Sequence, residues 1–404
     1  MNPTINPTKN WLFRRWPGLV LIILATLPLL WFKGNYLLSF EENFYLNYTF
    51  VFEKYRDLWS SHLNNGYTHF FYPALFPQAI FWKVLSSIGT PPVLIQKSFF
   101  VAAFGLVAFS FYQFLSVFTN NKLIRITSTC LYLLNFYVFS SIFYTAKVFQ
   151  LFLMPGAFFL TYRYLTTKKT LYLFSNSLLI YIFQGLFCNL PQALSTLLVY
   201  PTAFGYFTLI KKPNLKKSLV RFALYLTPVA LVGILNLWIY SINFSPEEIE
   251  SSLAGNTFEA LKTNLFKIIQ LRGAWWENAQ HADVPYNQLA NFYENPVIVL
   301  ASILIFSTSL IPLITKKTTK SHLFWLGTLL IALSLATGTG FPGGAVFSFL
   351  YNRITYFRIF REPWAKFMPW VVFSTATASA IALNSLAKSH PALSKKIPLL
   401  VLAL

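Results

Sequence analysis

Apolar stretches long enough to cross a hydrocarbon layer of roughly 30 Å recur along the chain, with short polar punctuation between them. They fall at 16–32, 94–118, 123–143, 146–165, 170–187, 190–210, 219–241, 295–315, 321–337 and 366–386. An eleventh starts at Ile397 and reaches Leu404, so the chain is expected to stop within a span, as a piece of a longer protein would. Such runs predict helices, because backbone exposed to lipid must satisfy its own hydrogen bonds. The alternating strands of an outer-membrane barrel are not the pattern here. The expected fold is therefore all-α: a polytopic bundle of ten or eleven spans forming one transmembrane domain over 1–404. The first run follows Arg14 and Arg15 as a signal peptide would, but it lacks a small-x-small cleavage site. It ends in Trp31-Phe32-Lys33, an interfacial anchor, and reads as a retained span.

The polar punctuation is sorted by sign. With the N-terminus in the cytoplasm, the inside segments contain Lys9, Arg14, Arg15, Lys122, Arg125, Arg163, Lys168, Lys169, Lys211, Lys212, Lys216, Lys217, Arg221, Lys316, Lys317, Lys320, Lys388, Lys395 and Lys396. These are nineteen of the 32 basic residues, with no acid among them. All twelve acids fall opposite: Glu41, Glu42, Glu53, Asp57, Glu247, Glu248, Glu250, Glu259, Glu277, Asp283, Glu294 and Glu362. One misdrawn span would exchange sides for every later loop and mix the signs, so the separation supports both the count and the orientation. The expected location is the cytoplasmic (plasma) membrane, with three long extracytoplasmic loops at 33–93, 242–294 and 338–365.

Composition agrees with this reading and removes two others. Hydrophobic residues make up 55% of the chain and charged residues 11%, at a mean hydropathy of +0.53. No water-facing surface could be built from so few charges. The net charge of +20 invites a nucleic-acid partner, but the cations come in short groups between apolar runs, as topology signals do. No nucleic acid is expected; membrane lipids are. Cys130 and Cys188 lie in different runs and suggest neither a disulfide framework nor a thiolate site.

Long loops sharing one face are where chemistry is to be sought. Glu41 and Glu42 follow the first span closely, where a carboxylate at the membrane surface can serve as general base on a hydroxyl. The plainer reading is a pair of solvated loop acids. Arg353, Arg358, Arg361 and Lys366 are cations on the side that topology disfavours, interleaved with aromatics. They suit an interfacial helix that grips a lipid-linked phosphate, or simple snorkelling to phospholipid headgroups with Glu362 as partner. Pro363 fits the first turn of the following span. Segment 242–294 predicts a helix from Pro246 to about Gln270, then Trp275 and Trp276, which either stack on sugar rings or anchor at the interface. Gly338 to Gly344 reads as a re-entrant turn and lacks the ending of a nucleotide-binding loop. His62 and His69, with Glu41, Glu42 and Asp57, form no tight ligand motif; no cofactor is expected, and a divalent metal is left open. Lys97 and Lys147 sit near the outer boundary and are expected to snorkel.

Four segments carry a resemblance: Ser39-Phe40-Glu41-Glu42-Asn43-Phe44 with Trp59 and Gly66; Leu131 to Val138; Leu271-Arg272-Gly273-Ala274-Trp275-Trp276; and Phe360 to Phe367. In this order the chain resembles the GT-C class of membrane glycosyltransferases, and within it the arabinofuranosyltransferase-like and lipoteichoic-acid-glycosylating bacterial membrane proteins. The resemblance implies a polyprenyl-phosphate-linked sugar as donor and a cell-envelope glycan or lipid as acceptor. It implies Glu41 or Glu42 as catalytic base, where the class often has Asp. Arg358, Arg361 and Lys366 would steady the leaving phosphate, with Trp275 and Trp276 near the substrate. Two other classes remain open: a transporter or flippase of lipid-linked glycans, and a non-catalytic envelope assembly protein.

Overall fold

The computed structural model describes residues 7–32, 34, 59–60, 67–68, 71–141, 145–243, 262–272, 280–281, 284–285, 294–360, 362–390 and 396. Within them the chain is helical, apart from two hairpins of two-residue strands: β1 (Trp59–Ser60) with β2 (Tyr67–Thr68), and β3 (Gln280–His281) with β4 (Val284–Pro285). The first apolar run forms α1 (Pro7–Thr26) and a 3-10 turn, Leu27–Trp31. The later ones give α3 (Pro92–Phe114), α4 (Lys122–Leu133), α5 (Phe136–Ser141), α6 (Thr145–Thr167), α7 (Thr170–Ile182), α8 (Leu190–Leu197), α9 (Val199–Lys211) and α10 (Leu215–Asn243). Beyond these lie α11 (Leu265–Ile269), α12 (Pro296–Thr308), α13 (Ile311–Ile314), α14 (Lys320–Ala336), α15 (Gly344–Arg353) and α16 (Pro363–Ser389). Four stretches are long and apolar enough to cross a membrane: Pro92–Val117, Leu190–Lys211, Leu215–Asn236 and Pro363–Ser389. The molecule is thus a helical protein of membrane type.

Several local expectations need correction. Segment 33–93 contains α2 (Phe71–Ser87), which its prolines concealed; Pro73 falls in the first turn, where the missing N–H costs nothing. The run 123–143 is broken at Leu134 and Asn135 into α4 and α5. The helix expected from Pro246 to Gln270 fails at its described end. Lys262 bridges to Gly338, Asn264 is extended, and only α11 is helical there. The aromatic, basic stretch of 338–365 forms α15 and a 3-10 turn, Thr355–Ile359, instead of one interfacial helix. Pro363 does open α16, as expected. The run from Ile397 lies outside the described residues.

Polar contacts sort the helix ends into two groups. At one, Thr119 donates to Asn384 Oδ1 (2.8 Å), Tyr206 meets Ser321 (2.9 Å) and Ser385 reaches the Lys317 carbonyl. The described residues near these contacts are basic, among them Lys122, Arg125, Lys316 and Lys388. At the other, Tyr137 binds the Ala365 carbonyl (3.0 Å) and Thr263 N–H the Thr337 carbonyl (3.3 Å). Glu294 and Glu362, the two acids among the described residues, belong to this second end.

Between the ends the core is aromatic. Phe373 of α16 packs against Phe114 (centroids 4.8 Å) and Trp325 (5.2 Å), and Phe111 stacks on Tyr132 at 4.1 Å. Lipid tails are as apolar as these side chains, so close packing and interhelical hydrogen bonds hold such a bundle, not exclusion from water. Helix α16 meets that need with small residues, Ser374 to Ala380, all buried. Its apolar window is 78% buried, against 17% for Leu215–Asn236, so α16 is the central post and α10 is peripheral.

Candidate functional site

The acid-bearing end is built around the break between α4 and α5. Asn135 makes the break by satisfying both sides of it. Its amide Nδ2 donates to the Leu131 and Tyr132 carbonyls of α4 (3.1 and 2.8 Å), while Oδ1 accepts the Val138 N–H of α5 at 3.1 Å. Asn competes well for backbone groups at such positions. The change of direction places Phe136 and Tyr137 inside the protein, 2% and 0% exposed.

Two buried cations lie over those two rings, and a third, Lys366, follows the residue that the Tyr137 hydroxyl binds. Lys147 Nζ lies 5.8 Å from the Tyr137 ring centroid, and the Arg272 guanidinium lies 6.0 Å from that of Phe136. Lys366 follows Ala365, whose carbonyl receives the Tyr137 hydroxyl. Exposures are 6% for Lys147, 5% for Arg272 and 7% for Lys366. Arg272 faces Glu294 at 3.8 Å and Lys366 faces Glu362 at 3.6 Å; both acids are far more exposed than the cations they meet. Removing three positive charges from water costs several kcal/mol each unless anionic groups compensate. Arg272 is aimed by a tight turn: Leu271 sits at φ +58, uncommon for a bulky side chain, and Arg272 N–H closes onto the Lys267 carbonyl at 2.9 Å.

Beneath Lys366 an amide network fixes α16 to α6 and α8. Gln150 Nε2 donates to Ser195 Oγ (3.0 Å) and reaches the Lys366 carbonyl (3.5 Å). Gln192 donates to Gln150 Oε1, and Trp370 Nε1 donates to the Ser195 carbonyl at 2.7 Å. All of these groups are buried, so each must be paired inside the protein. Replacing Gln150 by Leu is expected to destabilise the protein by about 1–3 kcal/mol, because Gln192 and Ser195 lose their shared partner. Thermal unfolding in detergent measures this, and Gln150→Leu combined with Gln192→Leu should recover part of the loss. Beside the network a groove of about 310 Å³ opens between α9 and α14, with Gly205, Ile331 and Leu335 in its walls and Phe367 and Trp370 at its end. It is lined almost wholly by apolar side chains.

Of the residues expected in a site, Lys366 lies in the cluster. Arg358 is half-buried and donates from Nε to the Tyr351 carbonyl (3.2 Å), bracing α15 instead of joining the buried cations. Arg353 is exposed at the end of α15. Glu41, Glu42, Arg361, Trp275, Trp276, His62 and His69 lie outside the described residues. Lys97 behaves as a snorkelling residue, donating to the Gly34 carbonyl at 3.1 Å and lying over the Phe32 ring. Lys147 does not: it turns inward, because the Tyr137 ring offers its charge a face inside the protein. Arg272, Gln150 and Gln192 went unassigned in the sequence, although a charge or amide inside or beside an apolar run is a functional signal in itself. No group of His, Cys, Asp and Glu suited to a metal occurs among the described residues. In comparisons with known proteins, the chain matches no family model, no curated protein and no solved structure.

Proposed function

We propose that the chain is a multispanning membrane glycosyltransferase that moves a sugar from a polyprenyl-phosphate donor to a cell-envelope glycan or lipid at the extracytoplasmic face. The observation that carries this reading is the gathering of Lys147, Arg272 and Lys366, each at least nine-tenths buried, at the acid-bearing end of an apolar helical bundle. Lys and Arg side chains at this depth are suited to grip a phosphate or pyrophosphate headgroup by charge-assisted hydrogen bonds. The apolar groove has Phe367, the residue after Lys366, in its wall and suits the donor's long chain. In the reaction, Glu41 or Glu42 takes the proton of the acceptor hydroxyl, and the acceptor oxygen attacks the anomeric carbon. The bond from that carbon to the phosphate oxygen breaks, and the lipid phosphate leaves with its charge. Lys366, with Arg361 as the resemblance implies, stabilises that charge as it grows; Arg358, which the resemblance also implies, is held by the Tyr351 carbonyl and is left out of this role.

Membranes containing the full chain, given labelled polyprenyl-phosphate sugars and envelope acceptors, test the assignment. Either Glu41→Gln or Glu42→Gln is expected to lower transfer by roughly 10²–10⁴-fold, the usual yield of a positioned base. Unchanged transfer in both variants removes these acids from the role. A flippase of lipid-linked glycans is the second reading, favoured by the discontinuity at Asn135, since broken helices line many translocation sites. Lipid translocation without transfer from any donor would select it.

A further inference from the structure

At the basic end three helices stop on a lysine whose backbone is left-handed. Lys168 follows α6 at φ +61, Lys212 follows α9 at φ +44, and Lys316 lies just past α13 at φ +54. Among the described residues four non-glycine positions have positive φ, and these are three of them. Their hydrogen bonds are those of ordinary helix stops. Lys168 N–H reaches the Tyr164 carbonyl (2.8 Å), Lys212 N–H the Thr208 carbonyl (3.0 Å) and Lys317 N–H the Pro312 carbonyl (3.0 Å). Such a stop favours glycine, because a Cβ in this conformation crowds the following carbonyl. A cation at a helix C-terminus recovers part of that cost from the dipole, but the smaller part. Topology does not require the cation there either. Lys169, Lys211 and Lys317 stand next to the three with ordinary backbone and would mark the loops alone.

The three loops meet at one surface. Tyr162 of α6 lies against Tyr206 of α9 (centroids 5.7 Å), and the Tyr206 hydroxyl meets Ser321 at the start of α14 (2.9 Å). All six lysines are exposed, and both acids among the described residues belong to the opposite end. Each left-handed lysine also stands three residues from an exposed leucine. These are Leu171, Leu209 and Leu313, at 64%, 41% and 47% exposure. The charges therefore sit where the lipid-facing band of the bundle ends. We infer that these loops form a binding surface for anionic phospholipids of the leaflet at the basic end. Lys168, Lys212 and Lys316 hold the phosphates, and the leucines meet the chains. An exposed cation beside an exposed leucine matches an amphiphile with an anionic head. A free phosphate or a soluble acidic peptide would use the cation alone. This surface is remote from the cationic cluster and stands whether or not the chain transfers sugars.

Native mass spectrometry of the full chain in detergent tests this, with phosphatidylglycerol titrated against phosphatidylcholine of the same chains. Phosphatidylglycerol is expected to bind more tightly, by on the order of a hundredfold. Lys168→Gly, Lys212→Gly and Lys316→Gly should each lower its binding about fivefold, and the triple variant should bind the two lipids nearly alike. Glycine relieves the backbone, so the melting temperature should be unchanged or a few degrees higher. Arginine at the three positions should keep the preference. Lys388→Gln removes a cation at the same end but outside the loops, and should also keep it. Asparagine, which accepts the left-handed backbone, supplies the reading should the glycine variant misfold. Four results would overturn the assignment. They are no preference in the wild type, a preference kept by the folded triple variant, an equal loss in Lys388→Gln, and displacement of the lipid by inorganic phosphate or a glutamate-rich peptide at matched charge.

Discussion

Lys366→Met is expected to lower sugar transfer from a polyprenyl-phosphate donor by roughly 10²–10³-fold, the range for loss of one group that stabilises developing negative charge. The protein should stay folded. Met matches the length of the buried stem, and the 7% exposure of Lys366 means that stem, not solvent, fills the space. Glu362 has 41% of its side chain exposed, so it remains hydrated when its partner at 3.6 Å is gone. The contact from Gln150 reaches the backbone carbonyl of residue 366 and survives the change. Lys366→Arg keeps the charge but must fit a planar guanidinium into a packed site, so its transfer should fall between those of wild type and Lys366→Met. Steady-state transfer in membranes, normalised to folded protein, distinguishes the three. Wild-type transfer in folded Lys366→Met would remove this residue from the leaving phosphate.

How much of this could be read from the sequence depends on which physical demand set each feature. Long helices are legible because lipid forces every backbone group to pair within its own segment, and the apolar stretches recur as helices, although 123–143, 190–210 and 295–315 are each interrupted. The break at Asn135 is not legible, since the same residue can sit inside an apolar helix. The alternative is chosen when the Tyr137 hydroxyl finds the Ala365 carbonyl, 228 residues along the chain. Helix α2 was hidden because prolines argue against helix until their position in it is known. In the candidate site, Lys366 could be singled out as a cation on the wrong face. Lys147 could not be told from a snorkelling residue, because its burial depends on where Tyr137 lies. Gln150 and Gln192 read as isolated amides within apolar runs, and only packing of α6 against α8 makes them a pair.

The largest loss of stability is expected at Gly343. A Cβ there would lie 2.4 Å from the Ser334 carbonyl oxygen and 2.6 Å from Ser334 Cβ, so the turn is folded directly onto the last turn of α14. These obstacles are main chain and the root of a side chain, and neither can rotate away. Gly343→Ala should therefore cost about 3 kcal/mol or more, at the upper end for overpacking. Gly327→Ala is the control: nothing lies within 4 Å of its Cβ position, and Ala in mid-helix should gain about 0.5–1 kcal/mol. Thermal unfolding followed by size exclusion reads both, and a wild-type melting temperature for Gly343→Ala would show that the turn is not seated on α14. The consequence reaches the cationic cluster by a defined route. Gly340 leaves no room for a Cβ, which would stand 2.6 Å from the Thr263 carbonyl, and Lys262 bridges to Gly338. The glycine turn thus holds 262–264, and α11 and Arg272 follow directly from that segment. Gly343→Ala should lose stability and transfer together, whereas Lys366→Met loses transfer alone; that contrast separates the scaffold of the site from its chemistry.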